Sequence, residues 1–110
     1  MIDVSLNFIR GSDNTKFPMI RGEFVKYVYK NYFLSGKLVS ARSKYTNYSR
    51  TRTINLKFCS EKSFITFKKD RHVTKQWKLI KDHASENKIA ISINTDNIRL
   101  TKNLYNLYIH

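Results

Sequence analysis

The 110-residue sequence has one cysteine, one proline, three glycines and eight acidic residues. A single cysteine excludes an intramolecular disulfide, so the chain is not a disulfide-stapled secreted scaffold and fits a reducing compartment. The scarcity of glycine and proline argues against a low-complexity disordered chain. No apolar run approaches the roughly 18 residues of a membrane span. The sequence therefore predicts a single domain over residues 1–110 that does not bind a membrane.

Metal-binding and catalytic motifs are lacking too. His72, His83 and His110 show no zinc-type spacing with Cys59, and no phosphate-binding loop or metalloprotease motif occurs. A lone cysteine among strand-type residues is more often a small core side chain than a nucleophile, although a Cys/His pair formed by the fold stays open. We therefore expect no metal, no cofactor and no catalytic residue, and interpret the chain as a non-enzyme.

Charge of one sign dominates the middle of the chain. The formal net charge is +13. Residues 21–81 contain 16 basic and three acidic side chains, whereas residues 1–20 and 82–110 are each neutral. A compact domain of this charge would repel itself without a polyanion, and nucleic acid is the first candidate. An anionic membrane or an acidic protein is the alternative.

Residues 42–52 alternate arginine and lysine with tyrosines and hydroxyl side chains, and little in them is apolar. Guanidinium groups bind phosphates through paired hydrogen bonds, and a tyrosine ring can stack on an unpaired base. The alternative is a solvated basic loop without a partner. The predicted RNA-binding residues are Arg21, Lys26, Lys30, Lys37, Arg42, Lys44, Tyr48, Ser49, Arg50, Arg52, Lys57, Lys68, Lys69 and Arg71.

Lysine, asparagine, isoleucine, tyrosine and phenylalanine supply 49 of the 110 residues. All five have A/T-rich codons, which fits an A/T-rich bacterial, viral or organellar genome. The N-terminus carries Asp3 where a transit peptide would be arginine-rich and poor in acids. A protein that acts inside an organelle would therefore be made there, and we expect the mitochondrion.

Hydrophobic periodicity predicts an N-terminal strand followed by a helix. Residues 2–8 alternate apolar and polar side chains, as in a half-buried strand. Apolar residues between Phe24 and Phe33 recur at three- and four-residue spacing, which indicates a short helix ending at Gly36.

The rest of the chain predicts four more strands and a terminal helix. The strands are expected at residues 54–58, 65–67, 73–79 and 89–93. Helical spacing over residues 100–108, with Asp96 as a possible cap, predicts the helix. The fold class is α+β: a short N-terminal helix on a small mixed or antiparallel sheet, with an extra N-terminal strand and a short C-terminal helix.

Three segments resemble parts of the family of the nineteenth small-subunit ribosomal protein. Residues 21–25, Arg-Gly-Glu-Phe-Val, are similar to its K-G-x-F-V opening. Residues 48–54, Tyr-Ser-Arg-Thr-Arg-Thr-Ile, followed by Phe58, resemble its W-S-R-R-S-x-I-x-x-x-F segment. Ser63–Phe67 stands where the family has a strand.

Over residues 20–95 the resemblance implies a structural constituent of the small ribosomal subunit, bound to rRNA in the head of a mitochondrial ribosome. It also implies contact with the thirteenth-protein family and proximity to tRNA. The family's G-E-F triplet is absent here, and Lys68-Lys69-Asp70-Arg71 replaces its Asn-Gly-Lys hairpin. The second hypothesis is a stand-alone basic module that binds DNA or single strands.

Residues 1–19 and 96–110 lie outside the resemblance and are interpreted as extensions. Both are neutral yet patterned with apolar residues, so we expect residues 96–110 to dock on a neighbouring protein. The alternative is a helix that packs on its own sheet. Membrane-surface association through residues 24–34 is weaker, because Lys26 and Lys30 are too few for a polybasic signal.

Trp77 is predicted to be buried on one strand face with Val73 and Leu79. Trp77→Ala should therefore lower the free energy of unfolding by about 3–5 kcal/mol. Denaturant titration followed by circular dichroism measures this loss. An indole that iodide quenches as readily as free tryptophan would contradict the burial.

Overall fold

The computed structural model describes residues 1–12, 14–45 and 48–95. Four strands and three helices span this part of the chain. The strands are β1 (Ile2–Ile9), β2 (Leu38–Lys44), β3 (Thr51–Phe58) and β4 (Ala90–Thr95), and the helices are α1 (Gly22–Val28), α2 (Glu61–Lys69) and α3 (Arg71–Glu86). Helix α1 continues directly into a π-helical turn over Tyr29–Phe33.

The strands form one antiparallel sheet in the order β2-β3-β1-β4. The predicted N-terminal strand is confirmed, and Val4 and Phe8 on its inner face are 2% and 1% exposed. Because β1 pairs with both β3 and β4, it lies inside the sheet, and residues 2–9 are not an appendage. The predicted α+β class with an antiparallel sheet is confirmed.

Two groups of buried side chains fill the space between the sheet and the helices. One gathers around Phe58 and Phe64 with Tyr32, and the other around Phe8 and Trp77. Phe58 is fully buried, and its ring centre lies 5.2 Å from that of Phe64. Both groups draw on β1 or β3 together with a helix, so the helices are held to one face of the sheet.

The strands predicted at residues 65–67 and 73–79 are wrong, because these residues belong to α2 and α3. Val73, Trp77, Ile80 and Ala84 are buried at three- and four-residue spacing, which is a helical stripe. The burial predicted for Trp77 is confirmed at 6% exposure, whereas Leu79 lies on another face and is 38% exposed. Short apolar alternations fit a helix as well as a strand, and the caps decide between them.

Those caps are Ser60 and Asp70. The Ser60 side chain accepts a hydrogen bond from the backbone N–H of Ser63 and begins α2. The Asp70 side chain accepts from the N–H groups of His72 and Val73 and begins α3. Capping of this kind satisfies backbone donors that a helix leaves unpaired at its start.

Strand β2 was not predicted, because the basic and polar composition of residues 42–52 is typical of a loop. With β3 it forms a hairpin, and Arg42 and Lys44 lie on the strand opposite Asn55 and Thr53. Charged side chains are common on a strand at the end of a sheet, where they discourage pairing with other chains. The predicted helix ending near Gly36 is confirmed, because α1 and its π-helical turn precede a left-handed Gly36 with φ of 76°. The predicted terminal helix at 100–108, with Asp96, lies outside the described residues.

The Asp70 carboxylate joins the helical pieces above the sheet. One of its oxygens accepts hydrogen bonds from the hydroxyl groups of Tyr27 and Tyr32, both at 2.6 Å. The other accepts from the backbone N–H of His72 at 2.8 Å, within the cap of α3. Asp70 therefore ties α1 and the π-helical turn to the junction of α2 and α3.

The pKa values of this cluster follow from these bonds. Burial by itself would raise the pKa of Asp70, but the hydrogen bonds from Tyr27 and Tyr32 and from the backbone outweigh burial and lower it. The hydrogen bond to Asp70 raises the pKa of Tyr27, and burial together with the same acceptor raises that of Tyr32. The charged form of Asp70 and the neutral tyrosines thus belong to the folded state.

Asp70→Ala should lower the free energy of unfolding by about 2–4 kcal/mol, since it removes a helix cap and leaves the buried Tyr32 hydroxyl without its acceptor. Asp82→Ala, which removes an exposed carboxylate of the same helix, is the matched control. Because the folded pKa of Asp70 lies below its unfolded value, its contribution is complete above about pH 4 and is lost as the pH falls further. Denaturant titrations should therefore show the two stabilities converging in acid for Asp70→Ala and wild type. A gap that persists at the lowest pH would contradict the role of the carboxylate.

Candidate functional site

An apolar cleft of about 530 Å³ lies between the sheet and the continuous element formed by α1 and its π-helical turn. Its size falls within the range of small-molecule sites in proteins. The floor comes from inward-facing residues of β1, β2 and β3, and the far wall from α3. The apolar lining includes Leu6, Phe24, Val25, Val28, Phe33, Leu38, Ala41, Ile54, Leu56, Phe67, Val73, Trp77 and Ile80.

The cleft exists because α1 does not seal against the sheet. Helix α1 buries none of its residues, and Val25 and Tyr29 are 54% and 57% exposed although both line the cleft. Phe24 and Val28 are half-buried. The apolar stripe that the sequence predicted on this helix therefore faces open space as well as the core. A patch of this kind on a small domain commonly marks a binding surface.

Polar groups meet the cleft on the side of the β2–β3 hairpin. Arg42 and Ser43 of β2 and Arg52 of β3 line it there, and Gln76 of α3 lines it from the helix side. Gln76 is buried and donates from its side-chain amide to the carbonyl oxygen of Met19 at 3.4 Å. A few polar groups at the margin of an apolar cavity are the usual composition of a ligand site.

Arg52 is the half-buried cation of this margin. Its Nε donates to Ser43 Oγ at 2.9 Å, and its Nη1 donates to the carbonyl oxygen of Pro18 at 2.9 Å. Within residues 1–12, 14–45 and 48–95, no carboxylate forms an ion pair with Arg52. Burial lowers the pKa of its guanidinium, although the group stays charged at any physiological pH.

Arg52 belongs to a row of four side chains, two aromatic rings with an arginine at each end, which we call the cation–π stack. The guanidinium carbon of Arg10 lies 4.3 Å from the ring centre of Phe17, and that of Arg52 lies 5.0 Å from the ring centre of Tyr45. The rings of Phe17 and Tyr45 meet edge to face at 5.6 Å. The stack joins the end of β1 and the following loop to the hairpin, and it fixes the orientation of Arg52.

The buried Arg10 holds the other end of this stack. It is 5% exposed, and it donates to the carbonyl oxygens of Ser49 at 2.9 Å and Thr15 at 2.8 Å. These two bonds to backbone carbonyls tie the loop after β1 to the connection between β2 and β3. Arg50 lies nearby, exposed, and donates to the carbonyl oxygen of Gly11 at 3.1 Å.

The residues predicted to bind RNA lie on several different elements of the fold. By strand register Arg42, Lys44 and Lys57 belong to the sheet face away from the helices, although Arg42 on the edge strand also lines the margin of the cleft. Arg52 lies on the face toward the helices. Lys57 pairs with Asp3 at 3.8 Å, and the amine of Lys37 lies 5.7 Å from the ring centre of Tyr32. The others are distributed over the helices and the hairpin connection: Arg21, Lys26, Lys30, Lys68, Lys69 and Arg71 on the helical side, and Tyr48, Ser49 and Arg50 between β2 and β3.

The place of Arg52 in the cleft was not predicted, because by composition Arg52 resembles the other cations of residues 42–52. The strand pattern held a signal, because Arg52 alternates in phase with Ile54, Leu56 and Phe58 and therefore shares their face. A cation in phase with buried apolar residues is a candidate for an inward-facing charge.

The candidate nucleophile and metal ligands do not assemble into a site in the described part of the chain. Cys59 is exposed, and its hydrogen bonds with Ser63 and Ser60 lower the pKa of its thiol. His72 lies against the ring of Tyr27 at 4.2 Å, and His83 Nε2 lies 2.7 Å from the carbonyl oxygen of Lys16. Among the described residues, no three histidine, cysteine, aspartate or glutamate side chains are grouped as for a metal ion. No helix in this part is long and apolar enough to cross a membrane.

The elements follow the order β-α-β-β-α-β, with the second helix divided into α2 and α3. Together with the strand order β2-β3-β1-β4, this order defines a ferredoxin-like α+β domain. The structure is similar to a crystal structure of a candidate antibiotic biosynthesis monooxygenase from Deinococcus radiodurans. The TM-score is 0.52 at 8% sequence identity, and the match covers 88% of this chain and 91% of the other. No family model and no curated protein matches the sequence.

This likeness overturns the ribosomal interpretation, and with it the small-subunit rRNA, the thirteenth-protein partner and the proximity to tRNA. The segments that suggested the ribosomal family have other roles here: Ser63–Phe67 lies in α2 instead of a strand, and residues 48–54 join the hairpin connection to β3. The stand-alone DNA-binding alternative gains no support either. A mitochondrial location stays a prediction, because it rests on composition.

Proposed function

We propose that this domain binds a small, largely apolar molecule in the cleft between α1 and the sheet, without chemical turnover of that molecule. The observation that carries the proposal is the cleft itself: about 530 Å³ of space bounded mainly by apolar side chains under a helix that buries none of its own residues. Burying apolar ligand surface there is favourable by about 25 cal/mol per Å².

The polar margin supports a binding role as well. A ligand site needs a few fixed polar groups for orientation, and Ser43, Arg52 and Gln76 are each held by a hydrogen bond of their own. The ligand is therefore expected to keep one polar end at the hairpin and to place its apolar body toward α3.

Binding without turnover is favoured over oxygenation by the chemistry of the lining. The similar structure from Deinococcus radiodurans is named as a candidate monooxygenase, but at 8% sequence identity the similarity concerns the fold and not the activity. Proton abstraction from a substrate needs a positioned base, usually histidine or a carboxylate. The polar residues among those described at the cleft are arginine, serine, tyrosine and glutamine, which are poor bases at neutral pH.

The full chain offers a direct assay, because Trp77 is its single tryptophan and lines the cleft. N-phenyl-1-naphthylamine, a neutral dye that brightens in apolar surroundings, is titrated while Trp77 is excited. Saturable brightening of the dye with loss of tryptophan emission is expected. Absence of both signals would overturn the proposal. Consumption of dissolved oxygen together with hydroxylation of the dye would contradict its non-catalytic part.

Ala41→Phe should weaken dye binding by about tenfold or more, equivalent to about 1.4 kcal/mol. Ala41 lines the cleft from β2 and is itself exposed, so a larger ring would fill ligand space without displacing core atoms. Ser40→Phe is the matched control, because Ser40 is paired with Lys57 on the opposite face of the sheet. Equal weakening by both substitutions would place the dye somewhere other than the cleft.

A further inference from the structure

We infer that Arg52 anchors an anionic group of the cleft ligand, so that the ligand is an apolar acid such as a fused-ring carboxylate. This inference rests on the proposed binding function and adds the chemical class of the molecule. Two observations support it: the hydrogen bonds of the Arg52 guanidinium, and the position of Arg52 beside the apolar residues Ile54 and Leu56.

The guanidinium of Arg52 retains unused hydrogen-bonding capacity. Its Nε and Nη1 donate to Ser43 and Pro18, and Nη2 has no acceptor among the described residues. A cation that is partly removed from water is costly unless an anion or a set of acceptors replaces its hydration. A carboxylate accepts two parallel N–H bonds from a guanidinium and is the group that matches this fork.

The guanidinium is also held in a fixed orientation before any ligand arrives. Tyr45 lies against it at 5.0 Å, and Ser43 and Pro18 accept hydrogen bonds from two of its nitrogens. An anchor that is already ordered loses little conformational entropy on binding. Exposed lysines and arginines elsewhere on the domain lack this combination of a stacked ring and two acceptors in the described structure.

The apolar floor begins directly beside the anchor. Ile54 and Leu56 follow Arg52 on the same face of β3, and all three line the cleft. Successive inward residues of a strand are separated by about 6.6–6.8 Å. A carboxylate at Arg52 therefore sets a fused two-ring skeleton over Ile54 and Leu56, with the α1 residues above it.

The net positive charge of the protein also attracts anions, but it does not direct them to a particular binding position. A net charge of +13 raises the local concentration of any small anion. At about 0.15 M salt this long-range attraction is screened beyond about 8 Å, whereas a direct ion pair persists. A test of Arg52 therefore needs physiological salt and a second arginine removed as a control.

The experiment compares 2-naphthoate with the neutral 2-naphthamide, each displacing N-phenyl-1-naphthylamine from the full chain at physiological salt. In the wild type, naphthoate should bind about tenfold more tightly than the amide. Arg52→Gln should reduce this ratio to about one, because naphthoate loses the ion pair and the amide does not. Arg50→Gln removes the same charge from an exposed arginine and should leave the ratio unchanged.

The possible outcomes separate this inference from the function on which it rests. If neither the dye nor either naphthalene binds, the proposed function itself fails. If both naphthalenes bind with equal affinity, or if Arg50→Gln lowers the ratio as much as Arg52→Gln, the cleft binds ligands but Arg52 is not the anchor. Circular dichroism and melting temperature show whether each variant is folded.

Arg52→Lys keeps the inference testable if Arg52→Gln does not fold. Lysine preserves the positive charge but cannot present the planar fork that serves Ser43, Pro18 and a carboxylate at once. The preference for naphthoate should then fall several-fold. An undiminished preference in Arg52→Lys would overturn the assignment of the fork to the ligand.

Discussion

The Asp70 carboxylate is the contact on which the placement of the helices depends. It caps α3 through the backbone of His72 and Val73, and it accepts hydrogen bonds from Tyr27 and Tyr32 across the interface with α1. Helix α1 has no fully buried residue, and its apolar side chains Phe24 and Val28 are only half-buried, so apolar packing alone provides little to fix its position. The charge-assisted bonds from the two tyrosines hold this helix above the sheet and leave the space beneath it open.

The cleft and the cation–π stack are two consequences of the same hairpin. Strands β2 and β3 provide the floor, while the chain before and after them carries the aromatic rings that position Arg52. Arg10, Phe17, Tyr45 and Arg52 come from separate parts of the sequence and meet only after the sheet has formed. Rings placed between guanidinium groups separate like charges and partly compensate for the water those groups lose. The stack thus lets a strongly basic chain keep two arginines inside its fold.

The large positive charge has a different meaning in this fold from the one suggested by the sequence. Composition pointed to a polyanion because most cations fall within residues 21–81. The structure distributes these cations over both faces of the sheet and over the helices. Only Arg52 combines burial, fixed orientation and contact with an apolar cavity in the described part of the chain. At the proposed site the relevant charge is therefore that of Arg52. The net charge of the protein contributes only a general attraction for anions.

The sequence by itself determined the α+β class, the alternating strand over residues 2–8, the helix before Gly36 and the burial of Trp77, because these follow from local periodicity and side-chain hydrophobicity. It could not distinguish the helices α2 and α3 from strands, since the short apolar spacings of residues 65–67 and 73–79 fit both. The neighbouring lysines and arginine also made Asp70 look like part of a charged turn instead of a helix cap. Tertiary structure alone decided that β1 lies inside the sheet, that Asp70 meets two tyrosines 38 and 43 residues away, and that Arg52 faces a cleft. Each of these depends on contacts between residues distant in the chain, and no local pattern encodes the distance between them.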